Sequence, residues 1–271
     1  MAARKLMPLS GNRLGSPLQV HFLSGAEHWA MTAFCLSSLL RSTSVNLVPI
    51  VLDDGTLGPA QKAELTRIFA EKQFVDREES EKRVQHNLPR TSYPSLHAMR
   101  DELPLMRKLI DLHIAERGWR LFLDSDILFF REPQWILNWL QSPRSPFYMR
   151  DFRNSYGYRE ETIAAAMGQP VLPLVNTGLY GFESNSIDWD RLERWAGFLH
   201  SAAGTNHFSE QCLLAMLMTT SAPQQAPSDY LIWPSEQEVR NPSAVMHHYV
   251  AESRTWYYIH GRPDTLRRSR D

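Results

Sequence analysis

The sequence lacks the long apolar runs and the excess of one charge that mark membrane proteins and nucleic-acid-binding proteins. No apolar run approaches the roughly 20 residues of a membrane-spanning helix, so no transmembrane segment is expected. The 271 residues include 29 lysines and arginines against 30 aspartates and glutamates, which gives a net charge of −1. This balance gives no reason to expect binding to nucleic acid.

Cysteine is also scarce. Cys35 and Cys212 are the only two, and both lie in apolar segments of helical spacing. They are expected to be small core residues and not a disulfide framework or a metal site. The first residues carry positive charge but no apolar core, so a secretory signal is not expected there. Residues 1–17 are interpreted as a flexible lead-in, and the protein is predicted to be cytoplasmic.

Short apolar segments alternate with segments of helical spacing from the start of the chain. Residues 18–25 and 45–56 are predicted strands that end in turn residues. Between them, apolar residues recur at helical spacing after a capping-box pattern of Ser24 and Glu27. Pro59 suits the first turn of a second helix. This order predicts an α/β fold with a central mixed, mostly parallel sheet flanked by helices.

The alternation continues along the chain. Residues 103–118 are predicted to form a helix that Gly118 caps, and residues 119–124 the strand that follows it. The remaining predicted elements are strands at 146–151 and 177–184 and helices at 187–202 and 209–220. The last quarter, from Pro223, is rich in aromatic residues and is expected to be irregular.

Two aspartates, Asp124 and Asp126, end an apolar strand in the segment LFLDSDILFF. An isolated Asp-x-Asp is usually a pair of turn or cap residues. Here, however, the pair stands at the carboxyl end of a strand, where open α/β sheets bind ligands. Two partly buried carboxylates repel each other unless a cation lies between them, and a hard divalent ion is the natural partner. Such an ion usually also holds substrate phosphates.

The strand–helix start, LFLDSDILFF, VNTGLYGF and SEQ together resemble nucleotide-sugar-dependent glycosyltransferases of the GT-A fold. The closest likeness is to the retaining enzymes of glycosyltransferase family eight, through scattered motifs from about residue 18 to 258. The resemblance implies a single Rossmann-like GT-A domain over residues 18–262. Its nucleotide-binding part would cover about 18–126 and its acceptor-side part about 127–262, and residues 263–271 would form a basic tail.

This resemblance also implies an activity, namely transfer of a sugar from a nucleotide diphosphate donor with retention of configuration. The implied donor is a UDP-sugar, the acceptor is unknown, and the implied cofactor is Mn²⁺ or Mg²⁺. Asp124 and Asp126 match the metal-binding aspartates of the family.

The C-terminal motif of the family, His-x-x-Gly-x-x-Lys-Pro-Trp, aligns with residues 248–256. His248 then matches the metal-binding histidine, Arg254 the phosphate-binding lysine and Trp256 the tryptophan. Ala251 replaces the glycine and Thr255 the proline. Arginine in place of lysine keeps a cation that can bind a diphosphate. Two further histidines are alternatives for the metal role: His247 and His260.

The resemblance assigns further residues to the sugar. Asn176 would face the donor sugar, and Glu210 with Gln211 would lie near the anomeric carbon. Turn and helix-cap roles are the alternatives for these residues. With retention, the leaving phosphate oxygen serves as the base. With inversion, a carboxylate base would be required, and Asp151 and Glu210 are the candidates.

Nucleotide recognition is expected at the ends of the first two strands, at Ser24, Gly25, Asp53 and Asp54. A carboxylate there accepts hydrogen bonds from uracil or ribose, although DDGT also fits a plain turn. Arg100, Arg107 and Lys108 precede the acidic strand on a predicted helix, where the resemblance implies a basic residue against the phosphates. Lys108 is the candidate for that role, and Arg107 is expected on a solvated helix face.

Two other functions fit parts of this pattern. A sugar-nucleotide nucleotidyltransferase also uses metal-bound acids on a Rossmann-like sheet, but SGAEHW lacks the glycine-rich loop expected after its first strand. A non-catalytic nucleotide-sugar-binding module of the same fold is the other alternative. The intact Asp124 and Asp126 and the downstream histidine–arginine pair argue against it.

Overall fold

The computed structural model describes residues 2–9 and 13–270. The parts of the predicted lead-in and basic tail that fall on residues 1, 10–12 and 271 lie outside the described residues. The strands are β1 (Leu14–Ser24), β2 (Val45–Asp53), β3 (Gln73–Val75), β4 (Trp119–Leu123), β5 (Ile127–Phe129), β6 (Phe147–Arg150), β7 (Val175–Glu183), β8 (Gln224–Gln225), β9 (Tyr230–Ile232) and β10 (Met246–His248).

The α-helices are α1 (Trp29–Arg41), α2 (Pro59–Ile68), α3 (Arg77–Asn87), α4 (Pro94–Glu102), α5 (Ile110–His113), α6 (Gln134–Gln141), α7 (Glu160–Met167), α8 (Trp189–Ala203), α9 (Ser209–Thr219), α10 (Glu236–Arg240), α11 (Arg254–Trp256) and α12 (Arg262–Arg268). A π-helical turn, Tyr257–Gly261, joins the last two. No helix in the described part of the chain is long and apolar enough to cross a bilayer.

The chain forms two compact units. The first contains Met1–Val75, Leu121–Arg144 and Ala226–Asp271, and the second contains Asp76–Arg120 and Ser145–Gln225. Each unit is therefore assembled from separate segments of sequence. The predicted domain boundaries and the division near residue 126 stay predictions.

The first unit is built on parallel strands. Their order is β3-β2-β1-β4, and every neighbouring pair in this series is parallel. The carboxyl halves of β1 and β2 are largely buried, as in sheets whose two faces are both covered. Register places Ser24 opposite Asp53, so the carboxyl ends of β1 and β2 lie side by side.

A small second sheet in the same unit follows the order β5-β10-β9. Strand β10 is antiparallel to β5 and parallel to β9. The hydroxyl oxygen of Ser38 in α1 accepts a hydrogen bond from the Phe129 amide at 3.0 Å, which attaches β5 to the helix. The Cys35 side chain on the same helix is buried and free, as expected of a core residue.

The second unit contains an antiparallel pair, β6 and β7, with β8 parallel to β6. Helix α9 is buried along nearly its whole length, from Ser209 to Met218, and includes the buried, free Cys212. Strand β7 is likewise buried from Val175 to Phe182. Parallel and antiparallel strands flanked by helices confirm the predicted α/β class with a mixed, mostly parallel sheet.

Three local predictions are wrong. Residues 103–118 form a 3₁₀ turn, Pro104–Lys108, and the short α5, which ends just before Ala115, a residue in the left-handed conformation with φ of 58°. Ser24 and Glu27 do not form the predicted capping box, because α1 begins only at Trp29. The Ser24 hydroxyl instead pairs with the Thr32 hydroxyl at 2.9 Å. The last quarter is not irregular. Its strands and helices of two to seven residues are too short to leave a periodic pattern.

The expectation of a solvated Arg107 is also wrong. Arg107 is buried, and its guanidinium donates to Asp111 and to Glu81, both at 3.1 Å. Arg100 makes two hydrogen bonds to Asp111, at 2.6 and 2.7 Å, and a third to Glu81 at 2.8 Å. These buried charges are thus fully paired within the second unit, which is the condition for tolerating them.

Candidate functional site

The two aspartates of the first unit lie in the tight turn between β4 and β5. Asp124 directly follows Leu123, the last residue of β4, and Asp126 directly precedes Ile127, the first residue of β5. The strand residues on either side, Leu121–Leu123 and Ile127–Phe129, are apolar and buried, so the turn cannot move away from the sheet without exposing them. The predicted position at the carboxyl end of a strand is confirmed.

Strand β10 brings His248 to this turn. His248 is paired with Ile127 in the antiparallel register, and the amide of Tyr249 donates to the Asp126 carbonyl at 2.9 Å. Directly opposite residues of an antiparallel pair have Cβ atoms about 5 Å apart. The register therefore places an imidazole next to two carboxylates that come from a distant part of the sequence.

The three side chains converge closely enough to share one ion. The Nε2 atom of His248 lies 3.1 Å from Asp126 Oδ1 and 3.8 Å from Asp124 Oδ2. One ligand atom from each residue lies within 4.8 Å of the others. Two carboxylate oxygens and an imidazole nitrogen suit a divalent ion such as Mn²⁺. Among the described residues, this trio is the only such cluster.

The electrostatics of Asp126 favour its ionised form. Burial by itself would raise the pKa of the carboxyl group, but the charges and hydrogen bonds of His248 and then Arg254 outweigh burial and lower it. Asp126 is therefore a carboxylate at neutral pH, and this is the form that binds metal.

Arg254 lies beside the same carboxylate. Its Nη2 and Nε atoms donate to Asp126 Oδ2 at 2.8 and 3.3 Å, and Nε also lies 3.3 Å from the Tyr249 carbonyl oxygen. The side chain is 57% exposed. Trp256, two residues on, stacks on His260 with ring centroids 6.1 Å apart. Binding of diphosphate by Arg254 and Trp256 stays a prediction.

Ala251 supports the alignment of this segment with the family motif. It takes the left-handed conformation, with φ of 47°, at the position where the motif has glycine. Glycine adopts this conformation without a steric penalty, whereas alanine does not. The backbone thus has the shape that the motif glycine would favour.

Replacing Ala251 with glycine is expected to stabilise the protein by about 1 kcal/mol, because it relieves the left-handed strain. The measurement is chemical denaturation. Ala165→Gly, on the exposed face of α7, is the matched control and is expected to cost about 0.5–1 kcal/mol. Equal destabilisation by both substitutions would contradict the assignment of strain to Ala251.

The two alternative histidines have other partners. His247 is buried, with Nε2 at 2.9 Å from Glu238 Oε1 and Nδ1 at 3.2 Å from the Tyr249 hydroxyl. The Nε2 atom of His260 lies 3.3 Å from Glu236 Oε1. Neither belongs to the cluster around Asp126, so the geometry favours His248 as the imidazole ligand.

The predicted nucleotide-binding residues meet at the ends of β1 and β2. The Asp54 amide donates to the Ser24 carbonyl oxygen at 3.0 Å, and a Cβ atom on Gly25 would overlap the Asp54 carboxylate. Asp53 accepts from the Gly55 and Leu57 amides and pairs with Lys62 at 3.0 Å. Both aspartates thus make turn contacts, and their nucleotide contacts stay predictions.

In the second unit, Asp151 connects Asn176 and Gln211. Its Oδ2 atom accepts from Asn176 Nδ2 at 3.1 Å and from Gln211 Nε2 at 3.3 Å. Gln211 Nε2 also donates to the Ser155 carbonyl at 2.8 Å. All three predicted side chains are buried, and the carboxylate fixes which way each amide faces.

Glu210 and Lys108 form a separate buried pair in the same unit. Their Oε2 and Nζ atoms lie 3.4 Å apart, and each side chain is 3% exposed. The Thr177 hydroxyl donates to Glu210 Oε2 at 3.0 Å. The lysine therefore compensates a buried carboxylate, and its predicted contact with phosphate stays a prediction.

Thr177 contacts two of the predicted site residues, Glu210 and Gln211, but was not itself predicted from the sequence. Its amide and hydroxyl also approach Gln211 Oε1, at 3.4 and 3.5 Å. It lies inside the segment VNTGLYGF, next to Asn176. The motif therefore indicated this segment as part of the site, but it did not indicate Thr177 itself. A threonine in a strand gives no signal of its own, because this residue is common there.

Comparison with known proteins finds likeness in structure alone. No family model and no curated protein matches the chain. The galactosyltransferase LgtC, in complex with donor and acceptor sugar analogs, aligns with a TM-score of 0.62 and 14% identity, over 93% of this chain and 95% of its own. Mouse xyloside xylosyltransferase 1 aligns with a TM-score of 0.55 and 11% identity, over 86% of this chain and 98% of its own.

A third structure, the bifunctional glycosyltransferase WbbM, aligns with a TM-score of 0.60 and 13% identity. The match covers 97% of this chain and 50% of WbbM, so the chain spans about half of that protein. These identities are low, and what they establish is the fold. The chain has the GT-A fold that these glycosyltransferases share, as the sequence predicted.

Proposed function

We propose that this protein is a metal-dependent glycosyltransferase that moves a sugar from a nucleotide diphosphate donor, a UDP-sugar, with retention of configuration. The observation that carries the proposal is the convergence of Asp124, Asp126 and His248 at the carboxyl end of β4 in a GT-A fold. Ligands of open α/β sheets bind at that end of the strands.

The trio would hold the divalent ion. When bound, the ion would act as a Lewis acid on the leaving diphosphate. Asp126 supplies an ionised, almost fully buried carboxylate, and Asp124 a second one that is 28% exposed. The neutral imidazole of His248 favours Mn²⁺ over Mg²⁺, because nitrogen ligands suit manganese better.

The nucleotide would bind at the ends of β1 and β2. Ser24 and Gly25 offer backbone groups there, and Asp53 and Asp54 offer carboxylate oxygens to ribose or uracil. Arg254, with Trp256 next to it, is the proposed cation for the diphosphate, since guanidinium groups form paired hydrogen bonds with phosphate oxygens.

Asn176 and Gln211 would orient the donor sugar. The contacts of Asp151 support this role, because one carboxylate fixes both amides. They also support retention, since the carboxylate that an inverting enzyme would need as base is here engaged by two amide groups. Glu210, paired with Lys108 and Thr177, is suited to fix Thr177, which also approaches Gln211, and not to accept a proton.

The acceptor is proposed to be a sugar or another small hydroxyl compound. The LgtC structure contains donor and acceptor sugar analogs, and the shared fold makes the same pair of substrates the natural proposal here.

A panel of nucleotide sugars tests this function. Thermal shift and donor hydrolysis are measured for UDP-, GDP- and ADP-sugars, with Mn²⁺, with Mg²⁺ and with chelator. We expect stabilisation and slow hydrolysis with a UDP-sugar and Mn²⁺, and neither with chelator. A tenfold excess of ligand over Kd raises stability by about 1.4 kcal/mol, which a melting curve detects. Metal-independent binding of every donor would contradict the proposal.

A further inference from the structure

The carboxylate of Asp126 is fully engaged by two neighbouring side chains. Its Oδ1 atom lies 3.1 Å from His248 Nε2, and its Oδ2 atom accepts both hydrogen bonds from Arg254. Asp126 is 6% exposed, so these contacts replace most of its water. The guanidinium therefore already occupies one oxygen of the central carboxylate of the trio.

A divalent ion bound to Asp126 would lie close to the guanidinium of Arg254, which rests on Oδ2 of the same carboxylate. Whichever oxygen of Asp126 the ion uses, two positive charges a few ångströms apart repel each other strongly in a partly buried site. Metal that binds to this carboxylate must therefore displace the guanidinium or accept its repulsion. Either event lowers the affinity for the metal alone.

Arg254 is able to move to another anion. Its side chain is 57% exposed, and it extends from the one-turn helix α11 on a flexible stem. Beyond Asp126, its guanidinium makes a long contact with the Tyr249 carbonyl oxygen, at 3.3 Å. A diphosphate offers several oxygens with the paired geometry that a guanidinium prefers.

We propose that Arg254 couples metal binding to nucleotide binding by exchanging Asp126 for the diphosphate. The side chain weakens metal binding while it rests on Asp126, and a bound nucleoside diphosphate draws its positive charge away from the carboxylate that holds the ion. This inference rests on the proposed function and goes beyond it, because it makes one residue raise nucleotide affinity and lower the affinity for metal alone.

The test measures Mn²⁺ and UDP binding separately and together, by calorimetry, in the wild type and in Arg254→Gln. Mn²⁺ alone should bind about tenfold more tightly to the variant, the effect of one charge-assisted hydrogen bond. UDP in the presence of Mn²⁺ should bind at least about tenfold more weakly. The factor by which UDP tightens Mn²⁺ binding should also fall, since coupling is reciprocal.

Two further variants control for general effects. Arg254→Lys keeps the cation but loses the paired geometry, so Mn²⁺ alone should bind nearly as weakly as in the wild type, and UDP should bind better than in Arg254→Gln. Arg240→Gln removes an exposed arginine of the same unit that pairs with Glu236, and should change neither affinity. Circular dichroism checks that all variants are folded.

The outcomes separate the two proposals. If the wild type binds neither Mn²⁺ nor UDP, the proposed function fails. If the wild type binds both, but Arg254→Gln weakens both or leaves Mn²⁺ binding unchanged, the exchange is wrong and the proposed function stands. Opposite changes in the two affinities support the exchange, because a merely damaged site loses affinity for both ligands.

Discussion

Asp126→Asn is expected to abolish Mn²⁺ binding and to lower donor hydrolysis by at least about a hundredfold, since metal stabilisation of a leaving group contributes several kcal/mol. Asparagine keeps the size and one oxygen of the side chain but removes its charge. Asp126 is the residue that contacts both His248 and Arg254, so no other group in the trio can replace it. Mn²⁺ calorimetry and a UDP-sugar hydrolysis assay are the measurements.

A matched control for this change is Asp101→Asn. Asp101 is 49% exposed and pairs with Arg90 on the surface of the second unit, so its loss should leave both Mn²⁺ binding and hydrolysis unchanged. His248→Ala should give a strong but smaller loss than Asp126→Asn. Full Mn²⁺ binding by Asp126→Asn would show that the metal centre lies elsewhere.

Arg100→Met is expected to destabilise the protein by about 3–5 kcal/mol, because it leaves Asp111 as a buried charge without its main partner. The side chains of Arg100 and Asp111 are 1% and 2% exposed and share two hydrogen bonds. Arg107 also contacts Asp111, but with one hydrogen bond at 3.1 Å. The free energy of unfolding from urea titration measures this effect.

Arg90→Gln is the matched control for Arg100→Met. Arg90 makes one ion pair, with Asp101, and its side chain is 56% exposed. Loss of such a surface pair costs about 0–1 kcal/mol. If the two substitutions cost the same, the buried network adds nothing beyond a surface pair, and its assignment as a stabilising element of the second unit is wrong.

The acidic turn was predictable from sequence because its signal is local. An apolar strand that ends in two carboxylates needs only neighbouring residues to be recognised, and the structure places Asp124 and Asp126 at that strand end. His248 was found through the family motif, since nothing in the sequence around it indicates that β10 pairs with β5. Its neighbour His247 lies in the same stretch of sequence, yet its imidazole contacts Glu238 and does not belong to the cluster around Asp126.

Long-range pairing accounts for what the sequence did not reveal. The contacts of Lys108 with Glu210 and of Asp151 with Gln211 join segments that only the folded chain brings together. Arg107 was misassigned for the same reason, because a helix face pattern does not show a buried partner such as Asp111. The prediction of one helix over 103–118 was wrong because a 3₁₀ turn followed by a short helix has the same spacing of apolar residues.

The central claim is that Asp124, Asp126 and His248 bind the metal ion, and pulsed electron paramagnetic resonance of bound Mn²⁺ tests it most directly. In the presence of UDP, the wild type should show coupling of Mn²⁺ to one imidazole nitrogen. This coupling should disappear in His248→Ala and persist in His260→Ala, which removes the alternative histidine nearest the surface. Coupling that survives in His248→Ala, or no nitrogen coupling in the wild type, would contradict the claim.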